Sequence, residues 1–420
     1  MKAEPPMESY PLSPMQEGML FHSLSAREPG VDVEQILCAL HEELDTALFE
    51  KAWQLVVDRH AILRTSLRWT DTAKPRQEVH PQVNVRVLAQ DWREVPDAER
   101  PGAFDGWLRT DRIRGFDLSQ VPLMRLALFR TGDVDYQLTW TFHHVLLDGR
   151  GVRTVLNEVF AFYEALCRGE ELRLPPPRPY REHIEWLGQQ DLSKAETFWR
   201  QTLQGFAAPT ALAVARATDH GPGNGEVRGE QEVRLSRLVT SALRSFAQSN
   251  GLTLNTLVQG AWALLLSRYS GEEDVVFGAI RAGRRSAAEG AESIAGLFIN
   301  TVPIRVRVDP NMGLLPWLAE LRRSWVALRP CEHTPLVNIQ GWSDVPRGQP
   351  LFESIFNFQD PSWDAALRAQ GGKWAAREFG LRSQSNYPLV VDAYGGDAAL
   401  LRISVALVAS VIGARLCAHW

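Results

Sequence analysis

Cysteine is scarce in this sequence, and its few copies lie far apart. The 420 residues include four cysteines, Cys38, Cys167, Cys331 and Cys417, and no two of them form a CxxC pair. Neither a disulfide framework nor a zinc site is therefore indicated. This usage fits a reducing compartment, so we expect a cytoplasmic protein that binds no metal.

An excess of basic charge is also missing. The sequence contains 45 Lys and Arg residues and 50 Asp and Glu residues, which gives a net charge of −5. A nucleic-acid binder needs a strong basic excess to neutralise phosphates. The short basic cluster at Arg281, Arg284 and Arg285 is more typical of a solvated loop, and no phosphate-binding loop is present. The composition therefore argues against a nucleic-acid or nucleotide partner.

Long hydrophobic runs are absent as well. Residues 1–6 contain no apolar stretch of the kind that a signal peptide requires. Residues 405–420 are apolar, but this run is too short for a membrane span and is broken by Arg415. We expect a truncated or altered terminus there, and no association with a membrane.

The remaining composition is that of a globular protein with two domains. Apolar residues make up 45% of the chain and charged residues 23%, and 420 residues are too many for one ordinary core. A proline-rich connector at 168–180 disfavours helix and marks the best boundary. We therefore expect an N-terminal lobe at 1–175 and a C-terminal lobe at 176–420, both of the α/β class because strands and helices alternate in each.

Hydrophobic periodicity places the main elements. A glycine-rich loop is predicted at 219–229. Helices are predicted near 45–60, 151–167, 180–186, 236–249 and 254–269, with Asp45, Ser236 and Thr253 as N-caps. Strands are predicted at 63–69, 136–143, 274–280, 301–308, 352–358, 388–393 and 400–407.

Two adjacent histidines stand where one of these strands ends and a helix is about to begin. His143 and His144 are followed by Asp148 and Gly149. Such junctions often carry catalytic groups, and histidine is well suited to take a proton near neutral pH. Adjacent strand residues point to opposite faces, so one histidine should face the reaction and the other should be tied into the structure. Asp148 either orients an imidazole or pairs with an arginine, and Gly149 allows a special backbone conformation or a close approach of substrate.

Short motifs recur in order across nearly the whole chain, from about residue 10 to 404. They are 13–20 (SPMQEGML), 59–65 (RHAILRT), 143–149 (HHVLLDG), 180–183 (YREH), 296–303 (GLFINTVP), 333–336 (HTPL) and 351–354 (LFES). This ordered set resembles the motifs of the condensation domain of nonribosomal peptide synthetases. The histidine motif alone is shared with other acyltransferases, but the ordered set is highly specific.

The resemblance implies two chloramphenicol-acetyltransferase-like lobes in a V-shaped pseudo-dimer with a central tunnel. Substrates would arrive as thioesters on the 4'-phosphopantetheine arms of an upstream donor and a downstream acceptor peptidyl carrier protein, with adenylation domains as further partners. The domain itself would bind no cofactor. The acceptor amine would attack the donor thioester and form an amide. The first motif looks more like subtypes whose donor ends in a D-residue.

The same resemblance assigns roles to individual residues. His144 would position the amine and accept its proton, while His143, the other histidine of the catalytic motif, would be structural. Asp148 would pair with Arg64 and fix the active-site turn. Gly149 would offer a backbone N–H to the oxyanion. Asn300 would shape the tunnel from the second lobe, or would simply cap a turn.

The chain departs from the family pattern in several places. The fourth motif is weak, Arg150 and Gly151 follow the histidine motif where a bulky residue is common, and the family's last helix is missing after Ser404. No glutamate-bearing epimerisation motif is found, and the histidines are not replaced by aspartates as in heterocyclisation domains. A stand-alone CoA-dependent acyltransferase and a non-catalytic recruitment relative remain the alternatives.

Overall fold

A computed structural model describes residues 7–25, 30–211, 228–284, 286–287, 289–360 and 362–406. Within these ranges, no helix is long and apolar enough to cross a membrane. The helices are α1 Pro14–Ser25, α2 Thr46–Arg59, α3 Arg100–Arg114, α4 Gly149–Cys167, α5 Arg181–Gly188, α6 Ser193–Leu203, α7 Arg237–Ser249, α8 Leu254–Ser270, α9 Leu314–Ala327, α10 Leu336–Trp342, α11 Trp363–Arg368 and α12 Lys373–Ala376.

The strands form one three-stranded, one five-stranded and one six-stranded sheet. They are β1 Glu8–Pro11, β2 Val33–His41, β3 Thr65–Arg68, β4 Arg76–Val79, β5 Val87–Asp91, β6 Met124–Arg130, β7 Asp135–His143, β8 Arg228–Arg234, β9 Asp274–Arg281, β10 Asn300–Arg307, β11 Ser354–Gln359, β12 Glu378–Arg382, β13 Leu389–Tyr394 and β14 Leu400–Ala406.

The chain divides into two compact units, each built from three stretches. Unit 1 comprises the described residues up to Gln190, together with Ala287–Phe298 and Trp363–Asn386. Unit 2 comprises Asp191–Ser286, Ile299–Ser362 and the described residues from Tyr387 onwards. The division into lobes at 1–175 and 176–420 stays a prediction. The sequence predicts that the family's last helix is missing after Ser404. This prediction concerns mainly residues 407–420, which lie outside the described residues.

Unit 1 is organised around the five-stranded sheet, whose order is β12-β2-β7-β6-β5. β7 lies in the middle and pairs antiparallel with both β2 and β6. Helices α2 and α4 pack together through buried aromatic residues, and the rings of Phe49 and Phe160 lie 5.9 Å apart. Trp53 of α2 meets Trp140 of β7 edge to face at 5.0 Å. This packing fixes the end of β7 relative to the start of α4.

Unit 2 contains the six-stranded sheet, in the order β10-β9-β11-β13-β14-β8. β11 runs parallel to β9 and β13, while the other pairs are antiparallel. Trp262 of α8 and Trp317 of α9 belong to its hydrophobic core. Strands and helices thus alternate in both units, which confirms the predicted α/β class.

The predicted helices and most predicted strands are confirmed to within a few residues. Asp45, Ser236 and Thr253 cap their helices as expected, each side chain accepting a hydrogen bond from a backbone N–H three residues on. The strand predicted at 63–69 differs, because Ala61–Arg64 forms a 3-10 turn and β3 begins only at Thr65. The hydroxyl of Thr65 donates to the carbonyl of Ala61 and closes that turn. Most of the 219–229 loop and of the 405–420 ending lies outside the described residues.

Candidate active site

The two histidines stand at the junction between β7 and α4 within unit 1. His143 is the last residue of β7, and α4 begins at Gly149. The intervening turn is closed by a hydrogen bond from the N–H of Leu146 to the carbonyl of His143 at 3.1 Å. Val145, Leu146 and Leu147 are buried. Apolar side chains thus anchor the turn in the core.

His143 is buried and is held at both ring nitrogens. Its Nδ1 accepts a hydrogen bond from the N–H of Val145 at 3.2 Å, so its Nε2 carries the proton and donates to Ser23 Oγ at 3.1 Å. Burial lowers the pKa of His143 to about 3, and the neighbouring His144 adds to this effect. His143 is therefore neutral near pH 7, and both nitrogens are committed to the structure of the turn.

His144 is half-buried and is held differently. Its backbone N–H donates to the carbonyl of Asp32 at 2.7 Å. Its ring Nδ1 lies 2.8 Å from the carbonyl oxygen of Leu147. Because a carbonyl can only accept, Nδ1 must carry the proton, and the lone pair of the neutral ring is then on Nε2. This is the nitrogen that can take a proton from a substrate.

Asp148 connects the turn to two other segments. Its Oδ1 accepts from the N–H of Gly151 at 2.8 Å and caps α4, while its Oδ2 accepts from the N–H of Phe298 at 3.1 Å. Its own N–H donates to the carbonyl of Gly296 at 3.2 Å. The buried carboxylate thereby ties the end of β7, the start of α4 and residues 296–298 together.

Three of the sequence motifs meet around this turn. Tyr180 donates its hydroxyl to the carbonyl of Leu297 at 2.6 Å, and a Cβ at Gly296 would overlap its ring. Gln16, from the first motif, donates its amide to the carbonyl of Val145 at 3.1 Å. Gln16 and Tyr180 both stand in motifs that the sequence singled out, but only the folded chain shows what they bind.

The hydrogen bonds of Arg64 contradict the expected pairing of this residue with Asp148. Among the described residues it makes no salt bridge with Asp148. Its guanidinium instead donates to the carbonyls of Val57, His80 and Pro81. The 3-10 turn at Ala61–Arg64 directs the side chain towards the segment after β4, where these carbonyls need donors. The expected ion pair is thus replaced by two separate sets of hydrogen bonds, and both residues still stabilise the fold.

Gly149 and Asn300 lie in different units. Gly149 is the exposed first residue of α4, and no described residue accepts a hydrogen bond from its N–H. Asn300 is buried at the start of β10, where its amide donates to the carbonyls of Glu332 and Thr334, each at 2.8 Å. Its amide group therefore braces the segment that contains the HTPL motif.

The described part of the chain holds no group of three or more His, Cys, Asp or Glu side chains arranged to bind a metal ion. The acid–base chemistry that the site can perform is centred on the Nε2 atom of His144. Unlike His143, this atom makes no hydrogen bond to any described residue. Two adjacent histidines thus have different environments and different chemistry.

Comparison with known proteins gives the family. A family model described as "Condensation domain" matches residues 7–406. The chain is 44% identical over 394 residues to a linear gramicidin synthase polypeptide of Brevibacillus parabrevis, covering 94% of this chain and 5% of that protein. It is 36% identical over 439 residues to chondramide synthase cmdD of Chondromyces crocatus, covering 92% of this chain and 11% of that protein. The chain therefore belongs to the condensation domain family, and it spans a small part of the length of these relatives.

Solved structures agree on the fold. The starter condensation domain of rhizomide synthetase RzmA superposes with a TM-score of 0.78 at 21% identity, covering 95% of this chain and 89% of that one. The X-domain from teicoplanin biosynthesis superposes with a TM-score of 0.76 at 21% identity, covering 94% of this chain and 89% of that one. The expected two-lobed, acetyltransferase-like fold of condensation domains is thereby confirmed.

The separate hydrogen bonds of Asp148 and Arg64 can be tested by a double-mutant cycle. Asp148→Ala removes a helix cap and should lower the free energy of unfolding by about 0.5–2 kcal/mol or more, and Arg64→Met should also destabilise because three carbonyls lose a donor. Since the two side chains share no partner, we expect the two losses in urea denaturation to add within about 0.5 kcal/mol. A loss in the double variant that is much smaller than this sum would show that Asp148 and Arg64 interact directly, as an ion pair would.

The burial of His143 predicts how stability depends on pH. Its folded-state pKa of about 3 lies below the ordinary value of 6.5, so on acidification the unfolded chain takes a proton that the folded chain does not. The stabilisation is complete above about pH 6.5 and is lost as pH falls towards 3, by about 1.4 kcal/mol per pH unit.

The matched variant is His143→Asn, whose amide oxygen replaces Nδ1 as the acceptor but does not titrate. We expect the slope of unfolding free energy against pH, between pH 4 and 6, to be smaller in His143→Asn than in the unmodified protein. Equal slopes would show that His143 is not buried in its neutral form.

Proposed function

We propose that this condensation domain forms an amide between two substrates that are tethered as thioesters to carrier proteins. Family membership supports the reaction class, and the sequence identity to peptide synthases supports the substrate class. The single observation that carries the chemistry is the bond from the Nδ1 of His144 to the carbonyl of Leu147, which leaves Nε2 as the base.

The substrates in this proposal are aminoacyl or peptidyl groups on the 4'-phosphopantetheine arms of an upstream donor carrier and a downstream acceptor carrier. The arms belong to the partners, and the domain binds no cofactor of its own. Adenylation domains supply the activated residues. Tethering raises the effective concentration of both reactants at the site. The cytoplasmic location expected from the sequence belongs to the same proposal, as does a donor that ends in a D-residue.

In the reaction, the acceptor amine attacks the carbonyl carbon of the donor thioester. A C–N bond forms and the π electrons of the carbonyl move onto its oxygen, while Nε2 of His144 takes a proton from the amine nitrogen. When the tetrahedral intermediate collapses, the C–S bond breaks and the departing sulfur takes the proton from His144. A positioned general base of this kind contributes about 10²–10⁴-fold. His143, Asp148 and Arg64 hold the framework and do not touch the reacting atoms.

The thioester oxygen that becomes negatively charged in the tetrahedral intermediate requires a hydrogen-bond donor, and the backbone N–H of Gly149 is the proposed donor. Its N–H is the first of α4, where the helix dipole also favours negative charge. Asn300 has a smaller part in this proposal, because its side-chain amide donates to two backbone carbonyls of unit 2. It would shape the substrate path by holding residues 332–334 in place.

The main alternative is a relative that recruits partners and does no chemistry. The similarity in fold does not decide between the two, because a starter condensation domain and an X-domain, which is also solved in complex with OxyB, superpose about equally well. What favours catalysis is the intact turn, with His144 oriented and half-exposed. A stand-alone CoA-dependent acyltransferase would use the same base. It would differ from the proposed function in its substrates, because its donor is an acyl group on coenzyme A.

The test is a single-turnover assay with a donor and an acceptor, each loaded on its own carrier, read by mass spectrometry of the amide product. We expect the tethered donor to react much faster than the same acyl group on coenzyme A, and a free amino acid not to serve as acceptor. Equal rates with both donors would identify a CoA-dependent acyltransferase.

In the same assay, we expect His144→Ala to slow amide formation by about 10²–10⁴-fold without unfolding the protein. The matched control is His41→Ala, which removes an exposed histidine paired with Asp135 and should leave the rate unchanged. A His144→Ala protein that reacts as fast as the unmodified one would contradict the assignment of the base.

The role of the Gly149 N–H is testable by a pair of variants. A Cβ at this position would lie 3.9 Å from the nearest atom, in the side chain of Trp363, so Gly149→Ala should fold and react normally. Gly149→Pro removes the N–H without requiring a change of backbone conformation, because proline suits the first position of a helix and Asp148 already has the extended backbone (ψ 176°) that precedes proline.

We expect Gly149→Pro to keep its melting temperature and to lose about 10²–10³-fold in rate, the usual effect of removing one oxyanion donor. A Gly149→Pro protein with a normal rate would remove this N–H from the proposed mechanism.

A further inference from the structure

Asp32 lies directly beside the proposed base and has no role so far. In the antiparallel pair of β2 and β7, Val33 is opposite His143, and the next step of that register places Asp32 opposite His144. The carbonyl of Asp32 accepts the N–H of His144 at 2.7 Å, and its own N–H donates to the carbonyl of Gln384 at 3.4 Å. These bonds involve only backbone atoms of Asp32, so they do not explain a carboxylate there.

The side chain of Asp32 is unusual in two respects. It is only 8% exposed, yet its Oδ2 has no hydrogen-bond partner among the described residues. Its φ is +58°, in the left-handed region that residues other than glycine rarely adopt. A buried carboxylate without a partner destabilises a protein, and strained backbone tends to occur at functional sites. Both features call for an explanation beyond packing.

The charged groups around Asp32 can be named. Burial raises the pKa of Asp32 to about 6, the nearby His144 lowers it, and Glu34 of β2 raises it. Glu34 already accepts a hydrogen bond from the hydroxyl of Ser383 at 2.6 Å. On the side of α3, Arg112 packs against Gly30 and donates to the amide oxygen of Gln35 at 3.2 Å. Among the described residues, His144 is the positively charged group that lowers the pKa of Asp32.

We propose that Asp32 is a positioning residue of the active site, whose buried carboxylate, with an Oδ2 that has no hydrogen-bond partner among the described residues, stabilises the positive charge on His144 once that histidine has taken the amine proton. The inference rests on the proposed function. The proton stays on Nε2, the Nδ1–H stays bonded to Leu147, and the carboxylate acts through space as a fixed negative charge. When the departing sulfur takes the proton, the ring is neutral again and the interaction ends.

The direct test needs no substrate. The pKa of Asp32 is measured by NMR from the chemical shift of its carboxyl carbon, assigned with Asp32→Asn, in the unmodified protein, in His144→Gln and in Glu34→Gln. We expect a pKa of about 6 in the unmodified protein, a higher value in His144→Gln and a lower value in Glu34→Gln, because each variant removes the charge named above. An unchanged value in His144→Gln would overturn the proposal, whether or not the protein forms amides.

The second test measures the effect on catalysis. Asp32→Asn removes the charge and keeps the backbone, since asparagine also tolerates a left-handed φ. We expect kcat at pH 8 to fall about tenfold, the change equivalent to one pKa unit, with KM unchanged. The melting temperature should stay or rise, because a buried unpaired charge is gone. The deficit in rate should shrink towards pH 5, where the carboxyl of the unmodified protein is also protonated.

Asp71→Asn is the matched control, since Asp71 is an exposed aspartate with φ of +57° and lies far from β7 in the sequence. It should not change the rate. A lower melting temperature for Asp32→Asn, with a deficit in rate that is the same at pH 5 and pH 8, would assign Asp32 a purely structural role. Absence of amide formation in every protein, the unmodified one included, would refute the proposed function, and the NMR titration would still decide the interaction.

Discussion

The hydrogen bonds of the Asp148 carboxylate hold the candidate site together. One oxygen caps α4 through Gly151 and the other accepts the N–H of Phe298, so a single buried anion fixes three segments at once. Burying a carboxylate is unfavourable, and N–H donors that converge on both oxygens offset that cost. With the turn fixed in this way, the carbonyl of Leu147 is available to the ring of His144, and the orientation of the base follows from it.

The contrast between the two histidines follows from the same turn. His143 ends a central strand, where the core surrounds it and both ring nitrogens find partners, so burial keeps it neutral. His144 is one residue further on, where the chain leaves the sheet and the ring is half-exposed. A difference of one residue in position therefore separates a structural imidazole from one that can exchange protons.

The sequence predicted the parts of the fold and of the candidate site that depend on local pattern. Alternating residues in β7, helical spacing in α4 and the cap at Asp45 are properties of short segments, and they were predicted correctly. The pairing of Asp148 with Arg64 was wrong because it depends on the direction of a side chain in a 3-10 turn that periodicity does not show. Asp32 carried no signal, because its position beside His144 arises from the register of two strands about 100 residues apart in the chain.

The central claim is that the neutral ring of His144 carries its proton on Nδ1 and presents Nε2 to the substrate. Nitrogen-15 NMR of histidine-labelled protein, with the His144 signals assigned by the His144→Gln variant, tests this directly because protonated and unprotonated ring nitrogens have very different chemical shifts. At a pH where the ring is neutral, we expect Nδ1 to be protonated and Nε2 to be unprotonated. A neutral ring with its proton on Nε2 would contradict the account.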